Sequence, residues 1–204
     1  MAYFFVKTPI KYGNSKLYSV IIHITNYFKE KNMNEVLKCL IERRSARAFK
    51  NEPLKKEDIE LIIEAGKYAP NGMGKQAPIF VVTTDPEKIA ELSKLNASIM
   101  NSNGDPFYGA VCVITVLADS NVGTYVYDGS LALGNMQNAA WSLGIAGCWI
   151  HRAKEMYETE KGKAIKEQLG IGDEYVGIGN LILGYAKDEP AKAKDRKENS
   201  VFYY

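Results

Sequence analysis

The stretch Ala110-Val111-Cys112-Val113-Ile114-Thr115-Val116-Leu117 is apolar at every position except Thr115. A strand with one face in water alternates apolar and polar side chains, and this one does not. It reads as a strand buried on both faces, and the sheet that holds it needs a covering layer on each side.

Upstream, Ile79-Phe80-Val81-Val82-Thr83-Thr84 reads as another strand, stopped by Asp85-Pro86, with a helix from there to about Met100 and a polar loop from Asn101 to Asp105. Downstream, Asp128 to Leu143 reads as a helix whose Leu131, Leu133, Met136, Ala139, Ala140 and Leu143 leave it small or apolar over most of its surface. A helix without a broad polar face is buried all round, in the core or against another subunit. Ile145 to Ile150 makes a short strand, residues 153–169 a charged helix, and Tyr175 to Ala186 a last strand rich in glycine, valine and isoleucine.

Towards the N-terminus, Val36, Leu37, Leu40 and Ile41 recur at helical spacing, and the basic cluster Arg43-Arg44-Ser45-Ala46-Arg47 ends that helix. After Pro53 a second helix carries Ile59, Ile62, Ile63 and Gly66 on one face and is closed by Pro70. Asn71-Gly72-Met73-Gly74-Lys75-Gln76-Ala77-Pro78 is a loop, because two glycines around a methionine and then a proline do not make regular structure. Residues 33–204 are thus one α+β domain around a central sheet, ending in a C-terminal arm. Residues 1–32 are aromatic, β-branched and basic without clear periodicity. They read as an N-terminal extension, either an added arm or the product of a start codon assigned upstream of Met33.

The 204 residues are enough for one domain with a substantial core. Twenty-six Lys and Arg against 24 Asp and Glu leave a net charge of +2, too small for a general nucleic-acid binder. Cys39, Cys112 and Cys148 lie far apart in apolar stretches and read as buried free thiols of a reducing compartment. The two histidines, His23 and His151, and the cysteine spacing give no metal site. The apolar run Leu17 to Ile24 is too short to cross a bilayer, so the protein is expected to be soluble and cytoplasmic.

Four clusters can carry chemistry. Arg43, Arg44, Ser45 and Arg47 combine guanidinium forks with a hydroxyl, a set suited to phosphate oxygens, or else a solvated basic helix end. Lys192, Lys194 and Arg196 follow the last strand, and chain ends commonly lie close together, so the two groups can converge on one phosphate. The loop from Asn71 to Pro78 lets backbone approach a flat ligand, with Asn71 and Gln76 as neutral partners for a uracil-like edge. Gly147-Cys148-Trp149-Ile150-His151-Arg152 can pack beside a planar ring, with Trp149 as simple core the alternative. No nucleophile elbow or phosphate loop is present, and Gly177-Ile178-Gly179-Asn180 lacks the third glycine of a dinucleotide fingerprint.

In this order and spacing, Arg43 to Phe49, Ala69 to Gln76, Gly144 to Ile150, and Lys194 with Arg196 resemble the nitroreductase family of FMN-dependent enzymes, from Met33 to roughly Arg196. The resemblance implies a central, mostly antiparallel sheet flanked by helices and an intertwined homodimer. It implies FMN as cofactor, with Arg43, Ser45, Lys194 and Arg196 on its phosphate and ribityl chain, Arg47 near the pyrimidine edge, and Arg44 also among the cofactor-binding residues. Asn71, Gly72 and Met73 would reach the flavin from the partner subunit, Pro70 and Gln76 of the same loop would also be cofactor-binding, and Gly147, Cys148, Trp149 and Ile150 would line the ring. The implied activity is ping-pong transfer of hydride from NADH or NADPH to a small-molecule acceptor such as a nitroaromatic or quinone, with no obligatory side-chain acid or base. A specialised flavin reaction on the same fold, such as dehydrogenation or dehalogenation, and a non-catalytic flavin-binding protein are the alternatives. The chain departs from the family where Asn71-Gly72 replaces a serine pair, Gly74 an asparagine, and Ala77-Pro78 a Pro-Trp pair.

Overall fold

The computed structural model describes residues 33–204, so the reading of residues 1–32 as an extension lies outside the described residues. The fold set out here is that of the unit Cys39–Tyr204.

The apolar run becomes β2 (Cys112–Asp119), buried at every position but the last. It lies inside a four-stranded sheet with β1 (Pro78–Thr83) on one side and β4 (Tyr175–Gly184) on the other, and β3 (Ala146–Ile150) completes the order β1-β2-β4-β3. All three pairings are antiparallel. The side-chain period of two then sorts β2 cleanly. Cys112, Ile114, Val116 and Ala118 face one core with Ile59 and Ile62 of α2 (Lys56–Lys67) and Leu133 and Met136 of α4 (Tyr125–Ser142). Val113 and Leu117 face the other, with Ile89 and Leu92 of α3 (Pro86–Ile99) and Met156 and Tyr157 of α5 (Ala153–Glu158). Each fully buried aliphatic side chain contributes about 1.5–3 kcal/mol, so both helical layers are held by β2.

Two expectations are revised. The charged helix over 153–169 is two helices, α5 and α6 (Glu160–Gln168), divided at Thr159. Thr159 is extended, its Oγ1 accepts the Gly162 N–H at 3.0 Å and donates to the Met156 carbonyl at 2.7 Å, so one side chain ends one helix and starts the next. The α4 helix begins at Tyr125, ahead of Asp128, and within this chain one side of it is open, which leaves standing the expectation of burial in the core or against another subunit. Asp128, Gly129, Ala132, Leu133, Met136 and Ala140 face inward, while Val126, Tyr127 and Leu131 are 45%, 70% and 46% exposed.

Gly177 and Gly179 also find their reason here. A Cβ at Gly177 would lie 2.3 Å from the Ala153 backbone, and one at Gly179 would lie 2.8 Å from the Trp149 indole. These glycines let α5 and Trp149 settle onto β4, a packing role unrelated to a dinucleotide. No helix among the described residues is long and apolar enough to cross a membrane, and no group of three or more His, Cys, Asp or Glu among them is placed to hold a metal ion.

Candidate functional site

The first basic cluster is an extended strap along the free edge of β3. Helix α1 (Glu35–Glu42) ends before it, and Arg44 Nη1 donates to the carbonyls of Ile41 and Arg43, both at 2.7 Å, which satisfies carbonyls at the helix exit. Ser45 then pairs in parallel with Gly147, and the Ala46 N–H donates to the Gly147 carbonyl at 3.1 Å. Farther on, Lys50 N–H donates to Tyr185 O at 2.9 Å and Lys187 N–H to Ala48 O at 3.1 Å. Two segments distant in sequence, Arg43–Arg47 and Gly147–Ile150, are thereby fixed side by side. Arg43 carries a buried Nη1 with no hydrogen-bond partner among the described residues. A buried guanidinium nitrogen left unpaired is costly, and an anion beside it removes that cost.

Two cavities flank the strap and share Arg47. One, of about 230 Å³, is lined by Arg44, Ser45 and Arg47 together with the root of the C-terminal arm, including Ala186, Asp188 and Glu189. Lys194 and Arg196 are exposed farther along that arm and do not line it. The other, of about 420 Å³, is lined by Arg47, the segment from Cys148 to Arg152, and Tyr108 with its loop. A larger cavity of about 570 Å³ lies behind the same loop, against Leu54, Ile89 and Phe107, and has no arginine in its wall.

Sequence reasoning did not find the parts that shape the 420 Å³ cavity. Asp105 organises the loop over it: Oδ1 accepts from the Ser93 hydroxyl and from the Phe107 N–H at 2.9 Å, and Oδ2 accepts from the Gly109 N–H at 2.7 Å. Those bonds hold Tyr108 in a left-handed conformation, φ 54°, in the cavity wall. Beneath the floor, fully buried Asn96 donates to the His151 carbonyl at 2.8 Å, and Asn180 donates to the Ile150 carbonyl at 3.5 Å while accepting from Thr115 at 2.8 Å. With both carbonyls turned into the core, planar trans peptides point the N–H groups of His151 and Arg152 the opposite way, to the side where both residues line the cavity. The available signal was Asn180, a lone carboxamide in an otherwise apolar strand; Asn96 sits in a helix of mixed polarity and gave none.

The loop from Asn71 to Gln76 lies elsewhere. Asn71 Oδ1 accepts the Gln76 N–H at 2.9 Å, and its Nδ2 donates to Ala69 O at 3.3 Å, so this side chain closes its own loop. Buried Asp128 accepts the Gly72 N–H at 3.0 Å and the Thr124 hydroxyl at 2.9 Å. Pro70, Met73 and Gln76 are exposed, and Met73 and Gln76 have φ of 53° and 50°. Pro78 is aligned through Ala118 with Val176, whereas Gly147 is aligned with Leu183 at the other end of β4. Three strand spacings across and that length of β4 along place the loop about 25 Å from Gly147 in the same chain.

Comparison with known proteins gives one consistent result. The profile described as the nitroreductase family matches residues 40–122. A protein of Archaeoglobus fulgidus, provisionally named NADH dehydrogenase/NAD(P)H nitroreductase, is 34% identical over 163 residues, 77% of this chain and 88% of the relative. An FMN reductase [NAD(P)H] of Bacillus subtilis is 26% identical over 83% of this chain and 73% of its own length. The solved nitroreductase of Bacteroides fragilis with bound FMN superposes with a TM-score of 0.77, 27% identity and coverage of 84% of this chain and 100% of that one. That of Desulfitobacterium hafniense, also with bound FMN, gives 0.74, 29%, 84% and 99%. With the shared fold and a relative of that identity matched over most of its length, this chain belongs to the nitroreductase family.

Proposed function

We propose that the protein is an FMN-dependent NAD(P)H oxidoreductase that reduces nitroaromatics, quinones or similar acceptors, and that it works as a homodimer. The observation that carries the reading is the strap: Arg43–Arg47 clipped to Gly147, between a smaller cavity lined by Arg44, Ser45 and Arg47 and a larger one lined by Arg47 and the segment from Cys148 to Arg152. The donor set fits FMN, with arginines and a hydroxyl for the phosphate and a narrow backbone shelf for a flat ring.

Bound FMN would supply the redox chemistry, hydride transfer between NAD(P)H and an acceptor admitted to the same cleft, which implies ping-pong kinetics. Arg43, Arg44 and Ser45 hold the phosphate, and Arg47, shared by both cavities, sets the electrostatic potential at the ring edge. Lys194 and Arg196 stand exposed farther along the arm, outside the cavity as it is formed here. The backbone from Gly147 to Ile150 orients the ring, and the N–H groups of His151 and Arg152, aimed by Asn96 and Asn180, donate to it. Tyr108 excludes water from one side of the cavity. No side chain here must act as an acid or base.

The loop from Pro70 to Gln76 is about 25 Å from Gly147 in its own chain. It contributes to a cleft only from a second copy. The uncovered faces fit that arrangement: Leu40 and Ile41 are exposed on α1, Tyr127 and Leu131 on α4, and Val201 to Tyr204 at the chain end.

The test is an absorbance spectrum of the purified protein, then anaerobic addition of NADH and NADPH separately. Bleaching of a bound flavin by either donor, with turnover once a quinone or nitroaromatic is added, supports the reading. A protein that takes up no FMN when it is supplied in excess refutes it.

A further inference from the structure

Resting on that reading, we propose that Arg152 recognises a negatively charged group, carboxylate or phosphate, on the substrate that enters the 420 Å³ cavity. Arg152 lines this cavity and is not part of the phosphate cradle around Ser45. Its backbone is left-handed, φ 74° and ψ 16°, and it is the one charged residue among the described residues with such a backbone. A long side chain with a Cβ is strained there, and glycine would not be.

The side chain is as poorly served as the backbone. Its Nε is buried without a hydrogen-bond partner among the described residues, and Nη2 leans on the Met100 sulfur, a weak acceptor. No carboxylate of the described residues pairs with it. Asp105 stands in the same wall, but both its oxygens are committed to Ser93, Phe107 and Gly109. Arg47 adds a second positive charge to the lining. A strained backbone and a half-buried guanidinium without an acceptor both work against the free protein. An anion entering the cavity gives the fork its missing acceptors. The anchored His151 carbonyl, held at 2.8 Å by Asn96, fixes where the fork starts.

The experiment compares wild type with Arg152→Gly and Arg152→Gln. Ligands come in matched charged and neutral pairs: 4-nitrobenzoate against 4-nitrobenzamide as acceptors, NADH against 1-benzyl-1,4-dihydronicotinamide as reductants. Equilibrium binding of the acceptor pair is measured calorimetrically, alongside KM for all four. Wild type should favour the charged member of at least one pair, and both variants should lose about tenfold or more of that preference. A loss confined to the acceptors identifies the carboxylate as the recognised group; a loss confined to the reductants identifies the dinucleotide phosphates. Arg152→Gly should also melt higher than wild type by about 2 °C or more, since it relieves the backbone. A preference unchanged in both variants, or absent in wild type, overturns the proposal. If the protein binds no FMN, calorimetry still decides: retained preference for the nitrobenzoate, lost in both variants, leaves the anion site standing while the oxidoreductase reading falls.

Discussion

Replacing Gly177 with alanine tests how the sheet positions the cavity floor. The added Cβ would lie 2.3 Å from both the carbonyl carbon and the oxygen of Ala153 and 2.7 Å from the Lys154 nitrogen. Carbon atoms in contact settle about 3.5–4 Å apart, so α5 must lift from β4 by roughly 1 Å or more. Backbone lies on both sides of this contact, so no side chain can swing away. Overpacking of this kind costs about 3 kcal/mol. For a chain of this length that corresponds to a fall in Tm of about 6–12 °C, measured at matched protein concentration. Arg152 and His151 directly precede α5, so the lift moves them off the carbonyl anchors supplied by Asn96 and Asn180. A shift of about 1 Å in groups that position a reacting ligand costs on the order of a hundredfold in rate. The assay is thermal melting with and without added FMN, then NAD(P)H-dependent quinone reduction. A variant within 2 °C (roughly) of wild type, with unaltered turnover, would refute the account of Gly177 as the contact that seats α5.

Gly134 is half-buried, about one turn along α4 from the exposed Leu131, and nothing stands within 4 Å of a Cβ built there. In an isolated chain Gly134→Leu should therefore stabilise the helix by about 0.8 kcal/mol. If α4 packs against a second copy, the leucine wedges that contact, and sedimentation velocity should show a wild-type dimer become a monomer. Cys112 is fully buried, and burial pushes its thiol from 9.0 up to about 12. The folded state then keeps a proton that the unfolded chain releases above its own value, so stability is full below pH 9.0 and declines as pH rises towards about 12. The slope from this group is about 1.4 kcal/mol per pH unit, and denaturant melts of Cys112→Ala should lose that component of the alkaline decline. Arg47→Ala should lower the reduction potential of the bound flavin, read by dye-coupled titration, because a nearby cation favours added negative charge. An unchanged potential removes Arg47 from that role.

Much of the layered fold was legible because burial on two faces leaves no polar residue to alternate. The run from Ala110 to Leu117 announced β2, and its odd and even positions were found in two separate cores. Proline and glycine marked most other boundaries. The break at Thr159 was missed because charged, helix-favouring residues flank it on both sides, and the capping bonds of one hydroxyl outweigh that propensity. The apolar character of α4 was legible, but whether the core or another subunit covers each side was not, because composition does not report which chain does so.

The sequence by itself determined the element types, the double-faced central strand and the residue kinds able to meet a phosphate, because local periodicity and side-chain chemistry travel with the chain. Strand order, the clipping of Ser45 onto Gly147 and the separation of the Asn71 loop from that edge were decided only by the tertiary structure. So were the tasks of Asp105, Asn96, Asn180 and Arg152. Each depends on backbone groups brought together from distant segments, and a hydrogen bond or an unpaired guanidinium has no counterpart in one-dimensional spacing.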